Sequence, residues 1–258
     1  MDAFRVLVMT KPFGELEPGR LAEILGGMSA DGGEVVVRDG QTVTPGEPQR
    51  LLEVAKEFAR HGLGIDVVTT DLVRADATAD RVFGVCAEAG VPLVRVGWWR
   101  YDAGLGYQRI AAEARRELAA LAALARRHHL RIALQLHHGT IHPSAAHALR
   151  LTEELAVYAD PGNQVMEGRE DLAMSLDLLG DRVACVGVKN AAWLGERLGW
   201  QPLADGGVLE WPDILRTLHQ RGYDGPLSLH AHYPMTDPGA TVARDLRHLR
   251  EAISLSRS

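Results

Sequence analysis

The chain has 258 residues, of which 46% are hydrophobic and 24% are charged, and its formal net charge is -6. This length and composition are typical of one globular α/β domain and exclude a disordered or collagen-like chain. Lysines and arginines form no run long enough to follow a phosphate backbone, so nucleic acid is not an expected partner.

Eight short runs rich in Val, Ile and Leu alternate with helical patterns along the chain. The predicted strands are 4–9, 34–38, 64–70, 92–97, 131–137, 155–160, 183–190 and 226–233. The clearest predicted helix spans 107–129, where apolar residues recur at helical spacing. Glycines in ARHGLGIDVV, AEAGVPLV and HQRGYDGPLSL are typical of helix C-caps that precede a strand.

Such βα units build either a closed barrel or an open doubly wound sheet. No GxGxxG follows the first strand, and eight units in this length favour the barrel. We therefore predict an α/β fold, a (β/α)8 TIM barrel that forms a single domain over residues 1–258. The long connection 191–208 follows the seventh strand and is a candidate lid over the active site.

Targeting and redox signals are sparse. No apolar stretch approaches the roughly 20 residues of a membrane span, and the N-terminus lacks a signal-peptide pattern, so we expect a cytoplasmic protein without a membrane partner. Cys86 falls in a predicted helix and Cys185 in a predicted strand, which favours free thiols over a disulfide.

Polar residues cluster at the C-terminal ends of the predicted strands, the face where this fold carries its chemistry. Because side chains alternate along a strand, Gln135 shares a face with His137, and His230 shares one with His232. We expect these faces to converge on one small-molecule site. Its candidate residues are Arg38, Trp98, Arg100, Gln135, His137, Asp160, Asn163, Lys189, Trp193, His230 and His232.

The segment WWRY (98–101) suits a polyhydroxylated ligand, with Trp98 stacking on a sugar ring and Arg100 bonding its hydroxyls. One of its two tryptophans is expected to pack at the top of the barrel instead. In the segment that follows the fifth strand, Ser144 is a candidate N-cap, and His142 and His147 are expected at the surface rather than among ligands.

Six motifs, in chain order, resemble the xylose isomerase-like barrel superfamily of sugar phosphate isomerases/epimerases. They are VRDGQTVTP, RVGWWRYD, LQLHHGTIHPS, DPGNQVMEG, VGVKNAAW and GYDGPLSLHAHY. The resemblance covers nearly the whole chain and implies a (β/α)8 barrel, often a homodimer. It also implies a divalent metal and the transfer of a proton α to a carbonyl.

The metal ligands that the resemblance implies are largely substituted here. Typical members hold the ion with two glutamates, an aspartate and a histidine, which fall on Gln135, His230, Asp160 and Gly187 in this sequence. Asp160, Gln135 and His230 could still form a three-ligand site. The possible ions are Zn²⁺, Mn²⁺, Mg²⁺ and Co²⁺. With one carboxylate left, such a site should bind Mg²⁺ or Mn²⁺ weakly and favour a borderline metal such as Zn²⁺ or no metal.

Our first hypothesis is an isomerase or epimerase-type enzyme acting on a sugar or another polyhydroxylated molecule. His230 would be the base, Asp160 and Lys189 would orient and polarise the substrate, and Lys189 or His137 would hold the developing oxyanion. Arg38, Trp98, Arg100, Gln135, Asn163, Trp193 and His232 would bind the substrate.

Two alternatives stay open. One is a recruited lyase, cyclase or hydrolase of a specialised pathway. The other is a barrel that has lost its metal site and its catalysis and serves as a partner subunit. A nuclease is disfavoured, because nuclease barrels hold several metals with many His and carboxylate ligands.

Overall fold

Strands and helices alternate along the whole of the computed structural model, which describes residues 4–168 and 170–256. Eight strands form one closed parallel barrel in the order β1-β10-β7-β6-β5-β4-β3-β2. They are β1 (Val6–Met9), β2 (Gly32–Val37), β3 (Gly64–Thr70), β4 (Leu93–Arg95), β5 (Arg131–Gln135), β6 (Ala156–Ala159), β7 (Val183–Val188) and β10 (Leu227–Leu229). The predicted α/β class and TIM barrel are confirmed.

Helices connect successive strands and surround the barrel. They are α1 (Pro18–Gly27), α2 (Arg50–Arg60), α3 (Ala77–Glu88), α4 (Tyr107–Arg127), α5 (Ala145–Leu151), α6 (Pro161–Met166), α7 (Leu172–Leu179), α8 (Trp211–Gln220) and α9 (Pro238–Leu255). Gly62, Gly90 and Gly222 follow α2, α3 and α8 with φ of 72°, 70° and 72°, which confirms the predicted glycine caps. No helix in the described part of the chain is long and apolar enough to cross a membrane.

Helix starts follow ordinary capping chemistry. Asp76 begins α3 by accepting hydrogen bonds from the backbone N–H groups of Thr78 and Ala79, at 2.9 Å each. Ser144 begins α5 and accepts from the N–H of His147, which confirms the predicted cap. These caps satisfy N–H groups that would otherwise lack partners at the helix ends.

The start of β2 differs from the prediction. The strand begins at Gly32 rather than at residue 34, because glycines give no strand signal even though the backbone pairs with β1 there. A Cβ on Gly33 would lie 2.5 Å from the ring of Phe58, so close packing of α2 on the strand requires a glycine. The shift moves Glu34 from the edge of the strand into its interior.

The candidate lid is an antiparallel hairpin rather than an irregular loop. β7 ends at Val188, and β8 (Asn190–Leu194) pairs with β9 (Arg197–Gln201) outside the barrel. Asn190 holds its base, donating to the backbone oxygen of Gly206 at 2.8 Å. That the segment closes over the site stays a prediction.

The apolar core has two parts. The larger part fills the space between the barrel and its helices. The smaller part lies inside the barrel and consists of Leu7, Val67, Leu93, Ala133, Ala156, Tyr158 and Cys185. Cys86 and Cys185 are both buried free thiols, as predicted.

Candidate active site at the C-terminal mouth of the barrel

A cavity of about 580 Å³ opens at the C-terminal ends of the strands. Seven of the predicted site residues line it: Arg38, Trp98, Arg100, His137, Asn163, Lys189 and His232. No carboxylate is found among the described side chains of the lining. Its charged groups are therefore cationic, which favours ligands that carry oxyanions or many hydroxyl oxygens.

Asp160 lies directly beneath the cavity and is fully buried. It is the N-cap of α6, and its Oδ1 accepts from the backbone N–H of Asn163 at 2.9 Å. Its Oδ2 accepts from Gln135 Nε2 at 2.7 Å and from Asn163 Nδ2 at 2.8 Å, and forms an ion pair with Lys189 Nζ at 2.9 Å. One ammonium and several N–H donors thus surround this carboxylate.

The Lys189 ammonium connects the buried Asp160 with the cavity. Its Nζ donates to Asn163 Oδ1 at 2.8 Å and lies 4.6 Å from the centre of the Trp200 ring. Burial lowers the pKa of Lys189, and the charge of Asp160 opposes that shift. These contacts fix the position of the Lys189 ammonium, which lines the cavity.

The tautomer of His137 follows from its hydrogen bond. Its Nδ1 lies 2.7 Å from the backbone oxygen of His138, and because that oxygen can only accept, Nδ1 carries the proton. Burial lowers the pKa of His137 to about 3, so the ring is neutral near pH 7 and Nε2 has a free lone pair. The ring also stacks on Trp98, with centroids 4.6 Å apart and planes 9° apart.

His138 and His232 are the other imidazoles in the lining. His138 Nδ1 lies 2.8 Å from Asn163 Oδ1, the oxygen that also accepts from Lys189. The pKa of His232 is well below its ordinary value because of burial and the nearby cationic groups, chiefly Lys189. A neutral His232 is therefore another polar, uncharged contact for a ligand.

One wall of the cavity is built on Trp98. The guanidinium carbons of Arg95 and Arg38 lie 4.8 and 5.6 Å from its ring centre, while His137 covers it by stacking. Arg38 also forms an ion pair with Asp71. These contacts hold the indole rigidly, and because three side chains already lie against its ring, the stacking of Trp98 on a sugar stays a prediction.

His230 is placed differently from the prediction. Only 2% of it is exposed, it does not line the cavity, and its Nε2 lies 3.0 Å from Glu34 Oε2 and 2.9 Å from the Tyr158 hydroxyl. The Tyr158 hydroxyl itself donates to Glu34 at 2.6 Å. The ring therefore belongs to a buried hydrogen-bond network beneath the cavity floor.

Glu34 is the centre of that network. Thr69 and Ser228 also donate to its carboxylate, the latter at 2.5 Å. Burial alone would raise its pKa, but the charge of His230 and the hydrogen bonds from His230, Ser228 and Thr69 lower the pKa to about 2. Glu34 therefore remains ionised inside the barrel.

The predicted three-ligand metal site does not match these contacts. Gln135 presents its NH₂ group to Asp160, since two facing oxygens would repel. His230 Nε2 is engaged by Glu34, and among the described residues its buried Nδ1 has no hydrogen-bond partner. A Cβ on Gly187, the position of the histidine ligand in the resemblance, would lie 3.0 Å from Asp160 Oδ2. Within residues 4–168 and 170–256, no group of three or more His, Cys, Asp or Glu side chains is arranged to hold a metal ion.

Two further expectations need correction. Trp193 was expected to bind substrate, but its side chain is 64% exposed on the hairpin and outside the cavity lining, where Trp200 of β9 takes its place. His142 was expected at the surface, yet it is fully buried. Its Nδ1 lies 2.9 Å from the Gln135 backbone oxygen, and its Nε2 accepts from the Trp99 N–H. The ring ties the WWRY segment to β5.

The expectation that one tryptophan of WWRY packs at the top of the barrel is confirmed. Trp99 is the tryptophan that packs in the core, at 8% exposure, and Trp98 is the one that faces the cavity. His147 is half-buried beside Ser144 and does not line the cavity.

Sequence reasoning missed four residues of this region: Glu34, Arg95, Tyr158 and Trp200. Arg95 is 2% exposed, and its Nε donates to Thr69 Oγ1 at 3.1 Å. A single charged residue inside an apolar strand, as in GGEVVV and PLVRVG, was the available signal. Such a residue is rarely buried unless it is paired, so it points to a partner elsewhere in the barrel.

The model of the xylose isomerase-like TIM barrel family matches residues 22–252. The chain therefore belongs to that family, and the resemblance in its motifs is confirmed. Among curated proteins, none matches the chain significantly.

Solved structures of similar fold include 3-keto-D-glucoside 4-epimerase YcjR from E. coli, with 15% identity, a TM-score of 0.76, and coverage of 96% of this chain and 99% of that one. An L-ribulose 3-epimerase has 14% identity, a TM-score of 0.77, and coverage of 98% and 96%. The probable 3-DHS dehydratase AsbF of Bacillus anthracis has 14% identity, a TM-score of 0.76, and coverage of 95% and 98%. At these identities the likeness establishes the fold.

Proposed function

We propose that the protein is a sugar isomerase/epimerase-like enzyme that moves a proton next to the carbonyl of a polyhydroxylated small molecule. The observation that carries this proposal is one cavity lined by both the unprotonated Nε2 of His137 and the ammonium of Lys189. A base and a cation are the two groups needed to form an enolate: one removes the α-proton and the other stabilises the oxyanion.

We assign the base to His137 rather than to His230. His230 Nε2 is held by Glu34 and its ring is outside the cavity lining, whereas His137 lines the cavity with a fixed tautomer. The low pKa of the free His137 makes it a weak base by itself. Burial is the main cause of that low pKa and the charge of Lys189 a smaller one, so an anionic ligand beside Lys189 would raise the pKa of His137 by offsetting the smaller contribution.

In this mechanism the substrate lies in the cavity beside His137, with its carbonyl oxygen toward Lys189. Asp160, Gln135 and Asn163 do not contact the substrate carbonyl; they hold the ammonium in position. Arg38, Arg100 and His232 bind hydroxyl or acidic oxygens around the rim.

The cations of the rim support a substrate that carries an acidic group. Lys11 and Arg100 line the cavity without a carboxylate partner among the described contacts, and burial together with Arg38, Lys189 and Arg95 lowers the pKa of Lys11. Like charges held close together are stabilised when an anion binds among them. We therefore expect a carboxylate or a phosphate on the polyol.

The class of reaction is a one-base isomerisation or an elimination. Two-base epimerisation needs a second proton acceptor on the opposite face of the substrate; the described lining offers no carboxylate for that role, and we assign its neutral His232 to binding rather than to proton transfer. Elimination is the second candidate, because the same enolate can expel a β-hydroxyl group. One of the structures of similar fold is a probable dehydratase.

The experiment is proton exchange in D₂O. The protein is incubated with ketopentoses, ketohexoses and their carboxylate-bearing and phosphate-bearing derivatives, and loss of the α-proton signal is followed by NMR. We expect exchange with at least one acidic derivative, reduced about 1,000-fold in His137→Asn. Formation of a product lighter by one water would identify elimination.

The matched control is His129→Asn, which changes an exposed histidine far from the cavity. Its φ of 56° is one that asparagine adopts readily, so exchange and stability should both remain at wild-type levels. Exchange that persists undiminished in a folded His137→Asn protein would remove His137 as the base. Exchange that is also undiminished in Lys189→Met would remove the proposal as a whole.

A further inference from the structure

Hydrogen-bond donors surround the carboxylate of Asp160. Its Oδ2 is shared by Gln135 Nε2, Asn163 Nδ2 and Lys189 Nζ, all within 2.9 Å, and its Oδ1 is engaged by the N–H of Asn163. All of these atoms are hydrogen-bond donors. A divalent cation needs lone pairs instead, so the same atoms cannot also serve as its ligands.

Two glycines shape this centre around the lysine. A Cβ on Gly162 would lie 2.6 Å from Cγ and 2.9 Å from Cε of Lys189, so only glycine at this position of α6 leaves a channel for the lysine stem. A Cβ on Gly187 would lie 3.0 Å from Asp160 Oδ2 and 3.1 Å from the Tyr158 ring. The channel therefore fits a side chain that passes α6 from the end of β7, and a side chain at position 187 would require Asp160 and Tyr158 to shift by a few tenths of an ångström.

One side of the ammonium faces an aromatic ring that also lines the cavity. The Trp200 ring lies 4.6 Å from Lys189 Nζ, a distance typical of a cation–π contact. Such a face stabilises an ammonium but offers no ligand atom to a hard divalent ion. The hairpin that carries Trp200 thus completes the surroundings of the Lys189 ammonium.

We infer that the Lys189 ammonium takes the place of a divalent metal ion in this barrel, so that Asp160 pairs with an internal cation and the protein binds no metal at this centre. This inference concerns cation binding and stands apart from the proposed reaction. Lys189 supplies one positive charge that cannot be removed by chelators, and its position is set by Gly162, Asn163 and Trp200.

The test measures metal binding directly. Wild-type protein is titrated with Mn²⁺, Co²⁺, Zn²⁺ and Mg²⁺ by calorimetry, and its metal content is measured by elemental analysis after dialysis against each ion. We expect no stoichiometric ion at Asp160 and no rise in the unfolding midpoint. One equivalent bound by the wild type and lost in Asp160→Asn would overturn the inference.

A pair of variants sharpens the result. Lys189→Ala combined with Gln135→Glu empties the cation position and adds a carboxylate, and we expect it to bind Mn²⁺ at least about 100-fold more tightly than wild type. Gln135→Glu alone should gain no such affinity, because the ammonium is still present. A folded double variant that binds Mn²⁺ no better than wild type would count against the inference; if the variant does not fold, the wild-type titration decides.

Discussion

Glu34 and Asp160 are both fully buried carboxylates in the same barrel, yet their surroundings differ in kind. Glu34 is enclosed by hydroxyls and one imidazole that reach it from β3, β6 and the β10 region. Asp160 is bound to an ammonium that continues into the cavity. The Glu34 contacts join strands inside the barrel, whereas the Asp160 contact holds a positive charge at the cavity.

The comparison shows that one buried carboxylate stabilises the fold, whereas the other positions a group of the candidate site. Glu34 connects strands that are distant in sequence, so it stabilises the closed cylinder. Asp160 connects only neighbouring elements, β5, α6 and β7, and what it stabilises is the position of Lys189. Four changes would break or sharpen this comparison.

Glu34→Gln should have the largest effect on stability. The neutral amide cannot accept hydrogen bonds from Thr69, Ser228, Tyr158 and His230 together, and it leaves buried groups without their anion. We expect the free energy of unfolding to fall by about 3–5 kcal/mol, measured by urea denaturation. Asp66→Asn, which breaks the exposed ion pair with Arg5, should cost about 1 kcal/mol or less and is the control.

Gly162→Ala should displace Lys189 and lower stability by up to about 3 kcal/mol, since the new methyl group meets the lysine stem. Gly27→Ala is the matched control at the end of α1, where no atom lies within 4 Å of the added Cβ. That change should be neutral or slightly stabilising. Equal stability of the two variants would mean that Lys189 can take another path to Asp160.

Acidification should destabilise the fold through His142. Burial lowers its pKa to about 4, below the roughly 6.5 of an unfolded histidine, so the unfolded chain binds the proton more tightly. The contribution of neutral His142 to the free energy of unfolding is fully present above pH 6.5 and is lost as the pH falls toward 4. We expect the free energy of unfolding to fall by about 2 kcal/mol between pH 7 and pH 5. Urea denaturation at both pH values should give a flatter dependence for His142→Gln; an unchanged slope would contradict this assignment.

Lys11→Ala and Arg100→Ala should have the smallest effect. Both cations line the cavity rim, and removing either should raise KM for an acidic substrate about tenfold while kcat stays near wild type. Neutral ketoses should be unaffected by the same changes. Equal effects on acidic and neutral substrates would argue against an acidic group in the natural substrate.

Most of the cavity could be predicted from sequence, because parallel strands carry their C-terminal residues to one face whatever the details of packing. Lys189, His137 and Asn163 were expected there for that reason, and the structure places them in the lining. Their chemical states were not predictable. The tautomer of His137 depends on the backbone oxygen of His138, and the state of Gln135 depends on a carboxylate 25 residues away.

The division between the two kinds of information has a physical cause. Alternating apolar runs, glycine caps and N-cap residues act over a few residues, so the sequence alone determined eight βα units and the end of the barrel that carries the chemistry. Barrel closure alone brought Ser228 to Glu34, which are 194 residues apart, and turned His230 toward that carboxylate and away from the cavity. A charged residue inside an apolar strand indicates that it has a buried partner but does not say which residue that partner is, so only the tertiary structure decided the pairing.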